Sequence, residues 1–480
     1  MKKRLSILSC LLLFAIVAMA QTKLNGIYYN LDNSNNTAEV TYGDSKYSGD
    51  IFIPASISVN GATYSVTTIG NYAFYECTGL TSIRIPNSVT TIGEDAFFEC
   101  DGLTSIEIPS SVATIESGVF CECDGLTSIK IPSSVTKIGN WAFSECSELR
   151  KIIVEADNPI YDSRGNCNAI IETASNTLIR GSKETIIPNS VTKIGDGAFS
   201  ECSGLMSFEI PNSVKTIGND AFFFCEGLLS IEIPNSVTAI GEFAFSGCVG
   251  LARIEIPSSV TKIGNWAFSE CSGLRGLAVS ADNPIYDSRE NCNAIIERAS
   301  NTLIQGCKNT FIPNSVTTIG KAAFFYCDGL TSIEIPNSVT TIEEAAFYGC
   351  SNLEKIYMMS SVPPAVDRGN FIDTQYESVG LYVPKGSLTA YQTADTWKEF
   401  WEIKEFDITG IDAITVEEII QAKRAGNGIL LKNAVGKQVA VYDTKGSLVS
   451  KYTNYSSEVI VLSKGTYIVV ADQKAIKVIL

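Results

Sequence analysis

The dipeptide Ile-Pro recurs at fixed intervals along the middle of the chain: at Pro86, Pro109 and Pro132, then at Pro188, Pro211, Pro234 and Pro257, then at Pro313 and Pro336. The step is 23 residues inside each group and 56 between groups. A period of this size constrains the fold more than any other feature, because one short unit cannot bury its apolar side and must stack on its neighbours. One unit runs from Leu80 to Cys100. Leu80, Ile83 and Ile85 have the spacing of a short strand, and Pro86 ends it because proline cannot donate to a ladder. The remainder makes a turn and a tight return. Each unit is then one coil of a solenoid, whose strands lie about 4.8 Å apart in a parallel sheet on one face.

The two longer steps hold an extra 33 residues each, and the two copies lie 125 residues apart, as Trp141 and Trp266 do. This is the mark of a duplicated block. Stacking turns each position of the unit into a column. Phe74, Phe97, Phe120, Phe143, Phe199, Phe222, Phe245, Phe268, Phe324 and Phe347 share one column and are expected to form a continuous aromatic spine. Three residues on, a cysteine column runs from Cys77 to Cys350. It lacks any C-x-x-C pair, so it reads as buried free thiols acting as small apolar groups rather than a metal ladder. In the second insertion, Ala294–Ile296 and Thr302–Ile304 flank the turn at 298–301, and pairing about that turn sets Cys292 opposite Cys307. A cross-strand disulfide is expected there. The first insertion has Ser182 opposite Cys167 and cannot copy it.

The chain of 480 residues contains no histidine. Ser-His-Asp and Cys-His nucleophile pairs and His-ligated metals are therefore excluded. No phosphate-binding loop or dinucleotide fingerprint is complete, and the many paired carboxylates read as solvated surface. No catalytic residue, cofactor or metal ligand is assigned. A formal net charge of −16 without a basic cluster argues against nucleic acid as a partner. Residues 1–20 combine Lys2, Lys3 and Arg4 with an apolar run and Ala18-Met19-Ala20, the form of a secretory signal peptide. No other apolar stretch is long enough to span a bilayer.

The repeated I-P-x-S-V-T-x-I-G-x-x-A-F-x-x-C-x-x-L, seen from Ile85 to Leu103 and from Ile335 to Leu353, resembles the BspA-like leucine-rich repeat family of bacterial surface proteins. The resemblance implies a leucine-rich repeat solenoid over 69–358, with hairpin insertions near 151–187 and 276–312. A β cap at 21–68 and a second cap at 359–407 would close its ends. It also implies a secreted or surface protein that adheres to host matrix or to other cells. Short strands from Ile429 to Leu480 suggest a small C-terminal β-sandwich over 408–480. The series Val441–Gly446, Leu462–Val469 and Lys477–Leu480 is similar to the sorting domain of type IX secretion.

The candidate binding surface is the outward face of the parallel sheet, where side chains between the inward isoleucines form an exposed column. Its charged members are Arg84, Glu107, Lys130, Glu209, Glu232, Glu255 and Glu334, with Ala278, Phe311 and Tyr357 between or beside them. Three glutamates on successive coils repel by up to about 1 kcal/mol per directly opposed pair. They form either a solubilising stripe or a docking strip for a basic segment of a partner. The expectation is a monomeric, non-enzymatic adhesion or protein-binding solenoid, the alternative being a passive surface coat or spacer.

Overall fold

A computed structural model describes residues 21–366, 369–371 and 373–407, together with 421–425, 428–432, 439–443, 448–452, 460–462, 466–471 and 474–479. The leader expected at 1–20 lies outside the described residues. The chain divides into two units, one ending at Phe406 and the other beginning at Asp407.

The first unit is a solenoid with two parallel ladders. One ladder is the expected strand of each coil. Ser105–Glu107 pairs with Ser128–Ile131, and that strand with Lys151–Val154. The second is a two-residue strand made by the Thr-Ile or Lys-Ile step, as where Ile92, Ile115 and Ile138 lie in register. Leucine and isoleucine at the repeated apolar positions of both ladders point inward, whereas Ile153, at the outward position, is exposed. Leu103, Ile106, Val112 and Ile115 are all buried, which is the burial a half-apolar coil achieves only by stacking. Before the first coil, strands Thr22–Leu24, Ile27–Asp32, Thr37–Thr41 and Ala62–Ile69 build onto the second ladder. At the far end, Gly380–Pro384 and Glu402–Phe406 extend the first.

The phenylalanine column is present but broken into three stacks. Rings lie 5.0 to 5.6 Å apart from Phe74 to Phe143, 5.1 to 5.5 Å from Phe199 to Phe268, and 5.1 to 5.6 Å from Phe324 through Phe347 to Phe371. The expected continuity fails at each insertion for a visible reason. The inserted strand Thr177–Gly181 pairs in parallel with Lys193–Ile194 and so takes the place of a coil. It presents glycine to the next ring: a Cβ on Gly181 would stand 2.0 Å from Phe199, and one on Gly306 would stand 2.2 Å from Phe324. The buried apolar residues accordingly form three clusters rather than one.

Each insertion begins at a buried asparagine. Asn158 donates to the carbonyls of Pro132 and Val135 at 2.9 and 2.8 Å and accepts from the amides of Ile160 and Tyr161. Asn283 repeats all four bonds with Pro257, Val260, Ile285 and Tyr286.

The cysteine column is buried as expected, and its thiols have a polar task as well. Cys100, Cys123 and Cys146 each donate to the carbonyl of the phenylalanine 26 residues earlier, at 3.0 to 3.1 Å, and Cys225, Cys248, Cys271 and Cys350 do likewise at 3.0 to 3.2 Å. Burial pushes the Cys146 and Cys271 thiols up to about 12. They stay protonated and unreactive at neutral pH.

The expected Cys292–Cys307 disulfide is not formed, and both thiols are free. The hairpin pairs Glu297 with Thr302 and Ile296 with Leu303, but a bulge then sets Ile295 opposite Gln305. One extra residue reverses which face a side chain takes. Cys292 joins the core beyond the insertion and Cys307 the core before it.

In the second unit, antiparallel strands form two sheets. One contains Gln421–Ala425, Gly428–Lys432 and Ile460–Val461; the other has the order 448–452, 439–443, 466–471, 474–479.

Candidate functional site on the outer face of the sheet

Alternation along each strand sends residue 82 and residue 84 of the first coil outward on either side of buried Ile83, and the same register repeats on later coils. The structure places the predicted column on this face, divided by the insertions. Arg84 pairs with Phe52. Glu107 lies beside Lys130, which lies beside Ile153. Glu209 lies beside Glu232, and Glu255 beside Ala278. Glu334 is followed by Tyr357, Tyr382 and Lys404. Phe311 sits off the ladder, bonded through its amide to Cys292 O of the inserted hairpin.

Electrostatics separate the two duplicated blocks. In the first, Lys130 forms an ion pair with Glu155 at 2.6 Å, and Lys130 beside it holds the Glu155 carboxyl below the usual carboxylate range. In the second, residues 256–272 repeat 131–147 without a change, yet the outward positions differ. Lys130, Lys151, Ile153 and Glu155 are replaced by Glu255, Gly276, Ala278 and Ser280. The ion pair is gone and the bulk is removed. A trough of about 490 Å³ opens there, lined among others by Glu232, Glu255, Arg253, Ala278 and Asn293. Among the described residues, Glu209, Glu232 and Glu255 enter no ion pair. Reading the column alone misses this trough; laying one block over the other reveals it.

A second acidic group lies in the return turns of the first block. Cys121, Glu122 and Glu145 bring ligand atoms within 4.8 Å of one another, close enough to hold a metal ion. Burial, with Glu145 as hydrogen-bond and charge neighbour, pushes the Glu201 carboxyl up to about 9. Since the folded state holds this proton more tightly than the unfolded chain does, its contribution is complete below about pH 4.5 and is lost as pH rises toward 9. Thermal melts from pH 6 to 9 should therefore show a decline in stability that Glu201→Gln flattens. Equal slopes in the two proteins would remove the carboxyl from that role.

The sequence profile described as "BspA type Leucine rich repeat region" matches residues 55–164, 179–295 and 300–371, in 6 copies. The chain belongs to the BspA-type leucine-rich repeat family. Solved structures with similar folds include a leucine rich cell surface protein of Faecalibacterium prausnitzii, at 24% identity over 80% of this chain and 94% of that one, with a TM-score of 0.38. A leucine-rich repeat protein of Bacteroides ovatus is 24% identical over 80% of this chain and all of its own, with a TM-score of 0.40. The pneumococcal vaccine antigen PcpA is 16% identical over 81% and 99%, with a TM-score of 0.45. No curated protein matches the chain. Among the described residues, no helix of this BspA-type solenoid is long and apolar enough to cross a membrane.

Proposed function

We propose that this protein is exported and displayed at the bacterial surface, where the solenoid adheres to another protein through the outer face of its sheet. Members of the family are cell-surface proteins, and leucine-rich repeat arrays usually bind proteins. The single observation that carries the reading is the column Glu209, Glu232 and Glu255, which enters no ion pair among the described residues, beside an open trough that Arg253 also lines, on the block whose twin is filled and ion-paired. The outward positions differ there while 17 consecutive core and turn residues stay identical. The partner this face fits is a basic segment of a host matrix or cell-surface protein, bound without chemistry.

The leader at 1–20 and the C-terminal unit supply the route. The sequence series Val441–Gly446, Leu462–Val469 and Lys477–Leu480 supports a type IX sorting domain folded as a β-sandwich and removed after export. Protease treatment of intact cells, followed by mass spectrometry, should release peptides from 21–407 and few or none from 408–480. Solenoid peptides found only after lysis would contradict surface display.

A further inference from the structure

A second contact site emerges from the duplication, on the turn side of the coils and away from the glutamate column. The position before the small residue of A-F is left-handed in every coil: Tyr72, Asp95, Gly118, Trp141, Gly197, Asp220, Phe243, Trp266, Ala322 and Ala345 all have positive φ. Two of these are tryptophans, 125 residues apart, within identical stretches of sequence at 131–147 and 256–272. Their environments differ completely. Trp266 is half-buried, with the Phe243 ring stacked on it at 5.0 Å and 6°, and the Lys321 ammonium 4.9 Å from its centroid. That ammonium also pairs with Glu344 at 2.7 Å.

The first block removes both partners. Gly118 stands where its twin has Phe243, and Asp196 where its twin has Lys321. Trp141 is consequently 66% exposed, and no ring or cation lies on it among the described residues. One vacated flank holds a carboxylate: Asp95 leans over Gly118, where a Cβ would meet Asp95 Oδ1 at 1.9 Å. On the other, Asp196 replaces the twin's lysine and turns to the next coil, where its Oδ1 accepts from the Asn219 amide at 3.1 Å and lies 3.6 Å from Lys193 Nζ. A bare indole with a carboxylate on the flank its twin fills with a ring attracts a cation by ring quadrupole and by charge together.

We propose that Trp141 is a docking site for a lysine or arginine side chain of a partner protein, which takes the place that Lys321 fills over Trp266. The chain thus carries one copy of the site filled from within and one left open.

The full-length protein labelled with fluorotryptophan separates the possibilities by fluorine NMR, with the Trp141 signal assigned through Trp141→Phe. Titration with a tri-arginine or tri-lysine peptide should shift the Trp141 signal and leave that of Trp266 in place, with affinity falling several-fold as salt is raised. The double variant Gly118→Phe with Asp196→Lys supplies the twin's own partners at a backbone position that Phe243 already tolerates, and should abolish the response while Trp141 remains. The proposal is overturned if the cationic peptides leave the Trp141 signal unmoved. It is overturned equally if norleucine amide or a chitin oligosaccharide shifts it as much, or if the double variant still responds.

Discussion

Phe222→Ala should lower stability by about 3 to 5 kcal/mol, the range for removing a fully buried aromatic side chain. The ring has no exposure, stacks on Phe199 at 5.2 Å and on Phe245 at 5.1 Å, and meets the edge of Phe208 at 5.5 Å. Those pairs add to the area it buries. The location of the loss is as informative as its size. Phe222 belongs to the middle cluster, while the stack from Phe74 to Phe143 belongs to another. In a repeat array each unit is stabilised mainly by its neighbours, so damage spreads only as far as the stack is continuous. Amide exchange should show protection lost between residues 199 and 271 and largely kept between 74 and 146. Uniform loss across all coils would mean that the glycine junctions at Gly181 and Gly306 transmit packing, contrary to the three-stack description.

Asn283→Ala should cost about 3 to 4 kcal/mol, more than any single hydrogen bond, because one side chain serves four backbone groups. Its amide donates to Pro257 and Val260, and its oxygen accepts from Ile285 and Tyr286, all at 2.8 to 2.9 Å, with 2% exposure. Truncation strands the Val260 carbonyl and the amides of Ile285 and Tyr286 where the coil gives way to the insertion, and leaves the Pro257 carbonyl only the Val260 amide at 3.3 Å. Asn283→Asp should be no better than alanine, since a carboxylate would face the two carbonyl oxygens to which the amide now donates. Asn158 makes the same four bonds, so Asn158→Ala should cost a similar amount. Chemical denaturation of the three variants checks these expectations; a cost below about 1 kcal/mol would show that water replaces the amide.

Much of this architecture is legible in the sequence because a 23-residue step assigns every residue a column before any contact is known. The parallel sheet, the inward Leu and Ile positions and the buried phenylalanines follow from spacing alone. What spacing could not supply depends on where an insertion meets the coils. The break in the spine turns on Gly181 and Gly306, two residues whose role appears only once the inserted strand is seen to replace a coil. The Cys292–Cys307 pairing rested on a regular hairpin, and the bulge between Ile295 and Ile296 sends the two thiols to different cores. The thiol-to-carbonyl bonds span 26 residues, three more than the repeat, an offset that only the coil geometry reveals. At the candidate site, the glutamates were legible as a column. The trough beside them came from Gly276, Ala278 and Ser280, small residues that give no signal until set against Lys151, Ile153 and Glu155.

The proposed protein-binding role of the second block's outer face rests on the glutamates Glu209, Glu232 and Glu255. Its most direct test is surface immobilisation of residues 21–480, wild type and Glu209→Gln/Glu232→Gln/Glu255→Gln, over a panel of host matrix and bacterial surface proteins at graded salt. The triple variant keeps the shape of the face and relieves like-charge repulsion, so its stability should be equal or slightly higher. The account predicts a partner whose affinity for the wild type falls with salt, and falls about tenfold or more in the triple variant, with a shallower salt dependence. A partner bound equally well by both proteins, with the same salt dependence, would contradict it.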